Sequence, residues 1–300
     1  MFFEFRNYLK EINIRGAYRK MDIKRKYDNP ILDRKKKDEI EYLSFPLFEK
    51  ESGIKHLFST RLGGVSDGIF SSMNLSYTRG DEKSAVDENF RRIAAVFGLN
   101  SEHFVLSDQT HTTNVKIVTK EDLGKGVTRP KDYSDIDGLI TNEPGIILGT
   151  FYADCVPLYF YDPVKKVIAL SHSGWRGTVA GIGRVTIEKM HAEFGCNPND
   201  ILVAIGPSIC QDCYEVSEDV AEEFSKVFLE KTNEIMLAKA NQKYQLDLWK
   251  ANELLLLDAG IKKEHLEITD ICTCCNPEFL FSHRASQGKR GNLGAFLVLN

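Results

Sequence analysis

Ile146-Ile-Leu-Gly-Thr-Phe151, Val156-Pro-Leu-Tyr-Phe-Tyr161 and Val167-Ile-Ala-Leu-Ser171 are three apolar runs that follow one another closely and decide the fold class. Each run has the length and the β-branched or aromatic content of a buried strand. The chain then changes to helical spacing over Gly177–Phe194, where one face carries Val179, Ile182, Val185 and Met190. This succession predicts a protein of mixed α/β (α+β) class.

The same alternation extends towards both ends of the chain. Further strands are predicted at Ile201–Ile205 and Ala295–Leu299, and further helices at Val86–Phe97, Ser217–Phe228 and Leu248–Leu257. The segment Asp122–Asp137 is rich in Gly, Pro and charge, which predicts a solvent-facing loop. Because neither a repeat nor a low-complexity tract interrupts residues 42–300, we expect a single domain there.

Residues 1–41 differ from the rest of the chain in charge. The first 40 residues contain 12 Lys and Arg against 7 Asp and Glu, including the run Arg34-Lys-Lys-Lys37. A basic arm could contact RNA or another phosphate-rich partner. Charge-rich termini are commonly solvated, however, so we interpret residues 1–41 as a basic N-terminal extension without a partner of that kind.

The composition of the chain favours a cytoplasmic globular protein. Of its 300 residues, 42% are hydrophobic, and the formal net charge of -4 indicates neither nucleic acid nor a membrane surface as a partner. No apolar run approaches the roughly 20 residues of a membrane-spanning helix. The first residues lack the pattern of an export signal. The seven cysteines are therefore expected to be reduced thiols or metal ligands.

Three polar positions lie beside the predicted strands. Cys155 occupies the connection between the first two apolar runs, at the rim of a sheet. His172 follows the third run and precedes a turn that contains Gly and Arg176, a combination that favours an anion. His111 lies in a polar segment ahead of the apolar stretch Val115–Val118. Taken alone, Cys155 is better explained as a packed thiol and His111 as a surface loop residue.

Taken together, His111, Cys155 and His172 allow two kinds of chemistry. They could supply three ligands to one metal ion and leave a fourth position open, as in catalytic zinc sites. Their separations of 44 and 17 residues are not diagnostic of a metal site. A nucleophilic Cys155 with His172 as its base fits the same residues. The residues by themselves leave both interpretations open.

The remaining cysteines give weaker signals. Cys210 and Cys213 form a C-x-x-C motif, while Cys272, Cys274 and Cys275 cluster nearer the C-terminus. We interpret each group as lacking a partner pair at zinc-finger spacing, and therefore as packed structural thiols. The chain has seven histidines, too few for a blue-copper centre coupled to an oxygen-reducing copper cluster.

Motifs spread along the chain resemble those of the YfiH-like family, and the resemblance runs from about Tyr42 to the C-terminus. Proteins of this family have been labelled laccase-domain or polyphenol oxidase, and later purine nucleoside phosphorylase with adenosine deaminase activity. The motifs that carry the resemblance are, in chain order, His56-Leu-Phe-Ser-Thr-Arg61, Asn74-Leu75, Gln109-Thr-His111, Ala153-Asp-Cys155, His172-Ser-Gly-Trp-Arg-Gly177, Ile205-Gly-Pro-Ser-Ile209 and Phe281-Ser-His-Arg284.

The resemblance implies a fold, a metal site and a substrate. It implies a layered α-β-β-α sandwich with mixed sheets, and a zinc site formed by His111, Cys155 and His172. It also implies a purine nucleoside pocket with contacts from Arg61, Asn74 and Arg176. The basic extension has no counterpart in the family pattern, and the spacing around Gly288-Lys-Arg-Gly291 differs from that pattern, so the roles of the extension and of Arg290 are left open.

We therefore expect a zinc-dependent purine nucleoside phosphorylase that uses phosphate and adenosine, inosine or methylthioadenosine, with adenosine deaminase activity. Three alternatives stay open. They are a copper-dependent polyphenol oxidase, in which Cu²⁺ replaces zinc, a metal-free hydrolase based on Cys155 and His172, and a regulator that binds nucleosides without turnover. Phe151 and Trp175 flank the predicted site, where either could stack on a purine or pack in the core.

Overall fold

Two six-stranded sheets packed face to face form the centre of the protein in the computed structural model, which describes residues 22–300. In spatial order, the first sheet contains β1 (Asp33–Lys37), β2 (Ile40–Ser44), β3 (Ile54–Ser59), β15 (Leu293–Leu299), β7 (Ile147–Tyr152) and β4 (Phe104–Leu106). The second contains β14 (Leu266–Ile268), β10 (Leu202–Ile205), β8 (Val156–Asp162), β9 (Val167–Ser173), β6 (Gly138–Thr141) and β5 (Val115–Ile117).

Both sheets are mixed. The pairs β4–β7, β5–β6 and β10–β14 are parallel, and the other pairs in the two sheets are antiparallel. A small antiparallel sheet is formed by β11 (Glu215–Ser217), β13 (Lys243–Leu246) and β12 (Met236–Ala238).

Helices pack around the two sheets. They are α1 (Pro46–Glu49), α2 (Lys83–Phe97), α3 (Trp175–Val179), α4 (Ile182–Phe194), α5 (Glu218–Phe228), α6 (Thr232–Ile235), α7 (Leu248–Asp258) and α8 (His283–Ser286). Among the described residues, none of these helices combines the length and the apolar character that crossing a bilayer requires.

The alternation of side chains along each strand builds the layers. In β8, Tyr159 packs between the sheets with Leu148 and Leu297, while Leu158 and Phe160 face the helices α4 and α7. On the other side, α2 packs its buried residues, among them Phe90, against the first sheet. The result is the predicted α-β-β-α sandwich, which is confirmed.

The predicted strands are present with ends displaced by one or two residues, but one predicted helix is divided. The segment predicted as a single helix over Gly177–Phe194 forms α3 and α4, with Gly181 between them. Gly181 has a φ of 75°, which interrupts helical geometry and which glycine adopts without steric cost. The helical spacing of apolar residues thus extends across Gly181, although the helix itself is interrupted there.

The described part of the basic extension packs onto the domain. Residues 33–44 form the hairpin β1–β2 at the edge of the first sheet, so the predicted boundary at residue 41 falls inside β2. Arg25 pairs with the fully buried carboxylate of Asp270, and Leu32 is buried. Lys35 and its neighbours occupy the edge strand, where lysines discourage further strand pairing. Residues 1–21 lie outside the described part of the chain.

Two connections between the sheets meet at one end of the sandwich. Residues 107–114 lead from β4 in the first sheet to β5 in the second, and residues 153–155 lead from β7 to β8 in the same way. The end of β9 lies beside the second connection, because Pro157 pairs with His172 in the β8–β9 register. This topology brings distant polar motifs together.

Candidate metal centre

His111, Cys155 and His172 meet where the two sheets are connected. One potential ligand atom from each residue lies within 4.8 Å of the others. The imidazole centroids of the two histidines are 4.9 Å apart, with the rings at 75°. His172 is buried, Cys155 is partly exposed and His111 is exposed, so the group opens to solvent on the side of His111. The three residues are thus arranged as a possible metal-binding group with an accessible side.

A buried carboxylate organises this group from behind. Asp137 precedes β6 and has no exposed surface. Its Oδ1 accepts hydrogen bonds from Nδ1 of His172 at 2.7 Å and from the backbone N–H of His111 at 3.1 Å. Its Oδ2 accepts from the backbone N–H groups of Thr110 and Thr112. Because Nδ1 of His172 donates to Asp137, its Nε2 is left as the ligand atom, an orientation typical of metal-bound histidines.

The electrostatics of the group favour charged side chains despite burial. Burial acts to raise the pKa of Asp137, but hydrogen bonds from His172 and the backbone N–H groups of Thr112 and Thr110 lower this pKa to about 2. Burial acts to lower the pKa of His172, but the charges and hydrogen bonds of Cys155 and Asp137 raise it to about 9. Burial acts to raise the pKa of Cys155, but His172 and His111 lower it to about 6. In the absence of a metal, these shifts favour a thiolate–imidazolium pair of Cys155 and His172.

Two backbone positions at the site have the left-handed conformation that non-glycine residues seldom adopt. His111 has a φ of 69° and Asp154 a φ of 90°. The bond from His111 N–H to Asp137 holds the first. The carboxylate of Asp154 accepts hydrogen bonds from the Thr273 hydroxyl at 2.6 Å and the Arg284 backbone N–H at 2.7 Å, which hold the second. Backbone strain that surrounding contacts maintain in this way is typical of functional sites.

Gly174 leaves the space in which His111 and Cys155 approach each other. A Cβ atom at this position would lie 2.7 Å from Cδ2 of His111 and 3.2 Å from Sγ of Cys155. The first distance is shorter than side chains tolerate, so any larger residue would displace the His111 ring. The glycine in the His172-Ser-Gly motif is therefore explained by close packing at the centre.

Gln109 fixes the segment that carries His111. Its side-chain amide donates to the carbonyl of Phe151 at 2.8 Å, and its carbonyl accepts from the Phe151 N–H at 2.7 Å. The Ser107 hydroxyl donates to the same Gln109 oxygen at 2.7 Å. Gln109 thereby ties the first connection to the end of β7, close to the start of the second.

A cleft of about 1020 Å³ opens beside His111, Cys155 and His172. It is lined by residues 75–79, 106–111, 126–131 and 151–153, together with Lys83, Arg290 and Asn292. The loop predicted to be solvent-facing thus contributes residues 126–131 to a cleft wall and ends in the buried Asp137. The charge pattern of this loop predicts exposure to solvent. Its last carboxylate, Asp137, is instead buried and accepts hydrogen bonds from backbone N–H groups and from an imidazole.

Two arginines bring positive charge to this cleft. Arg290 is 8% exposed, and its Nε has no hydrogen-bond partner in the described structure. Burial, followed by the nearby charge of Arg79, lowers the pKa of Arg290 to about 10, so it stays protonated at neutral pH. Within residues 22–300, neither Arg79 nor Arg290 forms an ion pair. Sequence patterns did not single out Arg79, and Arg290 had no predicted role.

The three predicted substrate contacts lie outside the cleft lining. Arg61 donates to the backbone carbonyls of Ser71 and Pro277, at 2.8 and 2.7 Å, and Arg176 stacks on the indole of Trp175 at 4.2 Å. Asn74 is fully buried, and its Oδ1 accepts from the N–H groups of Ser76 and Asn292. Asn74 thus joins two segments that line the cleft, at Ser76 and at Asn292.

The two aromatic candidates for base stacking are separated by the structure. Phe151 is half-buried and lines the cleft. Trp175 packs against the core beneath the second sheet. Only the first of the two is therefore placed where a bound ring could contact it.

Four other cysteines form a second group. Cys210, Cys213, Cys272 and Cys275 place their sulfur atoms within 4.8 Å of one another. The interpretation that neither cysteine motif has a partner pair was wrong, because Cys272 and Cys275 are themselves a C-x-x-C pair. The intervening Cys274 obscured that spacing, which is the sequence signal that could have found the group.

The other histidines lie apart from both groups. His56 is buried in an aromatic cluster and accepts a hydrogen bond from the Phe45 N–H at 2.8 Å. His103 and His191 bond to Asn100 and to the Cys196 carbonyl. Among residues 22–300, which include all seven histidines, only His111 and His172 belong to a potential metal-binding group.

The fold and the His–Cys–His group at the junction of the two sheets characterise a class of protein. Comparison of the sequence with family models identifies that class. A family model described as multi-copper polyphenol oxidoreductase laccase matches residues 55–300. The chain belongs to this family, and the predicted resemblance to YfiH-like proteins is confirmed.

Relatives with names and structures support the same assignment. Purine nucleoside phosphorylase YlmD of Bacillus subtilis is 38% identical over 244 residues, which cover 80% of this chain and 86% of YlmD. The crystal structure of YlmD from Geobacillus stearothermophilus has a TM-score of 0.83 at 33% identity and covers 91% of this chain and 100% of its own. That of the Bacillus licheniformis hypothetical protein YfiH has a TM-score of 0.83 at 32% identity, with coverages of 88% and 98%.

Proposed function

We propose that this protein is a zinc-dependent purine nucleoside phosphorylase that also deaminates adenosine. The observation that carries the proposal is the group of His111, Cys155 and His172, which opens onto a cleft with unpaired arginines. The names of the relatives supply the nucleoside as substrate.

The donor set suits a zinc ion. Two imidazoles and a thiolate are ligands that zinc accepts, and three protein ligands leave a position for water or substrate. The hydrogen bond from His172 to Asp137 provides the outer partner that metal-bound histidines usually have. Bound zinc would supply a Lewis acid and an activated water at neutral pH. Copper accepts the same ligands, which makes copper loading an outcome to be measured.

Arg79 and Arg290 are proposed to bind phosphate. Both line the cleft, and the unpartnered Nε of Arg290 is a donor for an anion. In phosphorolysis, a phosphate oxygen forms a bond to C1′ of the ribose and the bond from C1′ to the purine breaks. The departing base takes the electron pair and then a proton. Arginines that hold phosphate against the ribose contribute by orientation.

Phe151 is proposed to orient the base, and Asn74 and Arg61 to act at a distance. The exposed part of the Phe151 ring offers a surface on which a purine can stack. Asn74 holds residues 76 and 292 in place, and Arg61 holds the neighbouring segments through backbone carbonyls. These two residues would affect substrate binding through the cleft wall.

An assay with inosine and adenosine tests the proposal. We expect hypoxanthine release from inosine and adenine release from adenosine only when phosphate is present, with ribose 1-phosphate as the second product. We expect ammonia release from adenosine without phosphate. Chelation should stop both reactions and zinc should restore them. Absence of turnover with either nucleoside by zinc-loaded protein would contradict the proposal and leave nucleoside binding without catalysis.

The thiolate–imidazolium pair favours one other function, a metal-free hydrolase. Its basis is the pKa of about 6 for Cys155 beside His172. Such an enzyme would keep its activity after chelation and lose it on alkylation of Cys155. The zinc enzyme would lose activity on chelation and be protected from alkylation by the metal, so the two treatments separate the functions.

A further inference from the structure

Cys210, Cys213, Cys272 and Cys275 form a compact group of four sulfurs away from the cleft. All four lie within 4.8 Å of one another, with 3.4 Å between Cys213 and Cys275 and 4.0 Å between Cys210 and Cys275. Four sulfurs bonded to one zinc at ~2.3 Å in a tetrahedron lie roughly 3.8 Å apart. We propose that these cysteines bind a second, structural zinc ion.

The spacing and the backbone support this assignment. Two C-x-x-C pairs, 210–213 and 272–275, come from separate segments, which is the usual arrangement of a four-cysteine zinc site. The backbone N–H groups of Cys210 and Cys275 both point at Sγ of Cys272, at 3.2 and 3.4 Å. Hydrogen bonds of this kind stabilise a thiolate and orient it as a ligand.

The surroundings can balance the charge of four thiolates. A zinc ion with four thiolates carries a net negative charge, which needs a nearby cation when it is partly buried. The positive charge of Lys26 lowers the pKa of Cys210, and the Lys26 ammonium also pairs with Asp212. The segment that carries Lys26 is itself held by Asn276, which accepts from the Lys24 N–H at 2.7 Å. Lys26 thus places a positive charge beside one of the four cysteines.

The cluster is closed, which distinguishes it from the centre in the cleft. Cys210 and Cys272 are buried, and all four positions of a tetrahedron would be occupied by protein sulfur. No position remains for water or substrate, so the role is structural. A disulfide between Cys213 and Cys275 is the competing use of these residues, and it would leave Cys210 and Cys272 as free thiols.

The position of the cluster explains what the zinc would stabilise. It would join residues 210–213 to residues 272–275, and both neighbouring segments hold Asp154. The Ile209 N–H donates to the Asp154 carbonyl at 3.0 Å, and the Thr273 hydroxyl donates to its carboxylate at 2.6 Å. Asp154 precedes Cys155, so the second zinc would support the backbone beside the first centre.

Metal analysis of the purified full-length protein tests this proposal independently of the proposed function. After expression with added zinc, we expect two equivalents in the wild type and one in Cys155→Ala, with the remaining equivalent held by the four cysteines. Cys275→Ser should also hold one equivalent, and the double variant Cys155→Ala/Cys275→Ser none. Cys274→Ser is the matched control, because Cys274 lies in the same segment outside the group of four, and it should keep both.

Cobalt substitution of Cys155→Ala identifies the ligands of that remaining ion. We expect the thiolate-to-metal charge-transfer and d–d bands of tetrahedral four-sulfur coordination, which Cys275→Ser in the same background should remove. Should Cys275→Ser fail to fold, Cys155→Ala alone still decides. No metal in that variant, or a Cys213–Cys275 disulfide found by mass spectrometry of protein kept under inert gas, would overturn the proposal.

Discussion

The two cysteine-containing groups of this protein differ in the number of side chains that could bind a metal ion, which is three at the cleft and four in the second group. At the cleft, two histidines and one cysteine leave a side open towards solvent, and the buried Asp137 orients one ligand from behind. In the second group, the sulfur atoms of four cysteines lie within 4.8 Å of one another, and two of these cysteines are buried. A metal site with an open position can bind substrate, whereas a metal site with four protein ligands stabilises the fold. In our proposals one chain uses cysteine for both purposes, in two groups whose segments are joined by hydrogen bonds to Asp154.

The largest effects are expected when one cysteine is removed from each group, which tests whether the two groups have different roles. Cys155→Ala should lower nucleoside turnover by at least about 10³-fold, because the metal at the reacting position is lost. The same change should alter the free energy of unfolding by less than about 1 kcal/mol. Cys275→Ser should show the opposite, with a loss of stability on the order of 4 kcal/mol because a structural metal is lost.

Urea denaturation and steady-state assays of the two variants provide the measurements, with Cys274→Ser as the control. Equal losses of stability in Cys155→Ala and Cys275→Ser would contradict the division into an open and a closed site.

A second change tests the support behind the open site. Asp137→Asn replaces an acceptor with an amide that cannot accept all the hydrogen bonds from His172, Thr110 and Thr112. We expect metal affinity at the cleft to fall by about 10- to 100-fold, with activity falling in parallel. Zinc competition against a chromophoric chelator measures the affinity.

Asp135→Asn is the matched control for Asp137→Asn. Asp135 is exposed, belongs to the same loop and accepts a hydrogen bond from the Thr110 hydroxyl at 2.7 Å. Its loss should change the affinity by less than about threefold, since it does not touch a ligand. Similar effects at both positions would attribute the loss to loop charge.

A third change tests whether the cleft of the open site binds phosphate. Arg290→Gln removes a charged donor with an unpartnered Nε, so KM for phosphate should rise about tenfold or more. The dependence of inosine cleavage on phosphate concentration gives this value. Arg176→Gln is the comparison variant, because Arg176 is exposed and stacks on Trp175 outside the cleft, and its KM should stay near that of the wild type. A raised KM for phosphate in Arg176→Gln, with an unchanged KM in Arg290→Gln, would instead place the anion site at the turn after His172.

The smallest expected effect is a pH shift in the metal-free protein. Against the effect of burial, His172 and His111 lower the pKa of Cys155 from 9.0 to about 6, so the thiolate forms as the pH rises through about 6. Alkylation of Cys155 by iodoacetamide should therefore level off above about pH 7, and added zinc should suppress it. Mass spectrometry of the Cys155 peptide follows the reaction. A rate that rises only near pH 9, as for an ordinary thiol, would contradict the ion pair.

The sequence predicted the layers and the cleft ligands for different reasons. The strand runs in residues 146–171 are long and apolar, so their structure follows from local pattern. His111, Cys155 and His172 were brought together only by the family resemblance, because their distances along the chain contain no geometric information. The register of β8 and β9 and the two connections between sheets supply that information.

The missed residues share a physical cause. Asp137, Arg79 and Arg290 reach His172 or the cleft only through the tertiary structure, and nothing in their immediate sequence distinguishes them from surface charges. Gly181 separates α3 from α4 in a backbone conformation that apolar spacing does not reveal. The four-cysteine group was within reach of sequence reasoning, since its two C-x-x-C pairs are visible once Cys272 and Cys275 are paired across Cys274.

The measurement that tests the central claim most directly is anomalous diffraction from crystals of active protein at the absorption edge of its metal. The account predicts a peak bonded to His111 and His172 nitrogens at about 2.0–2.1 Å and to Cys155 sulfur at about 2.3 Å, with its fourth position facing the cleft. A cleft without such a peak, in crystals whose protein cleaves inosine with phosphate, would contradict the account.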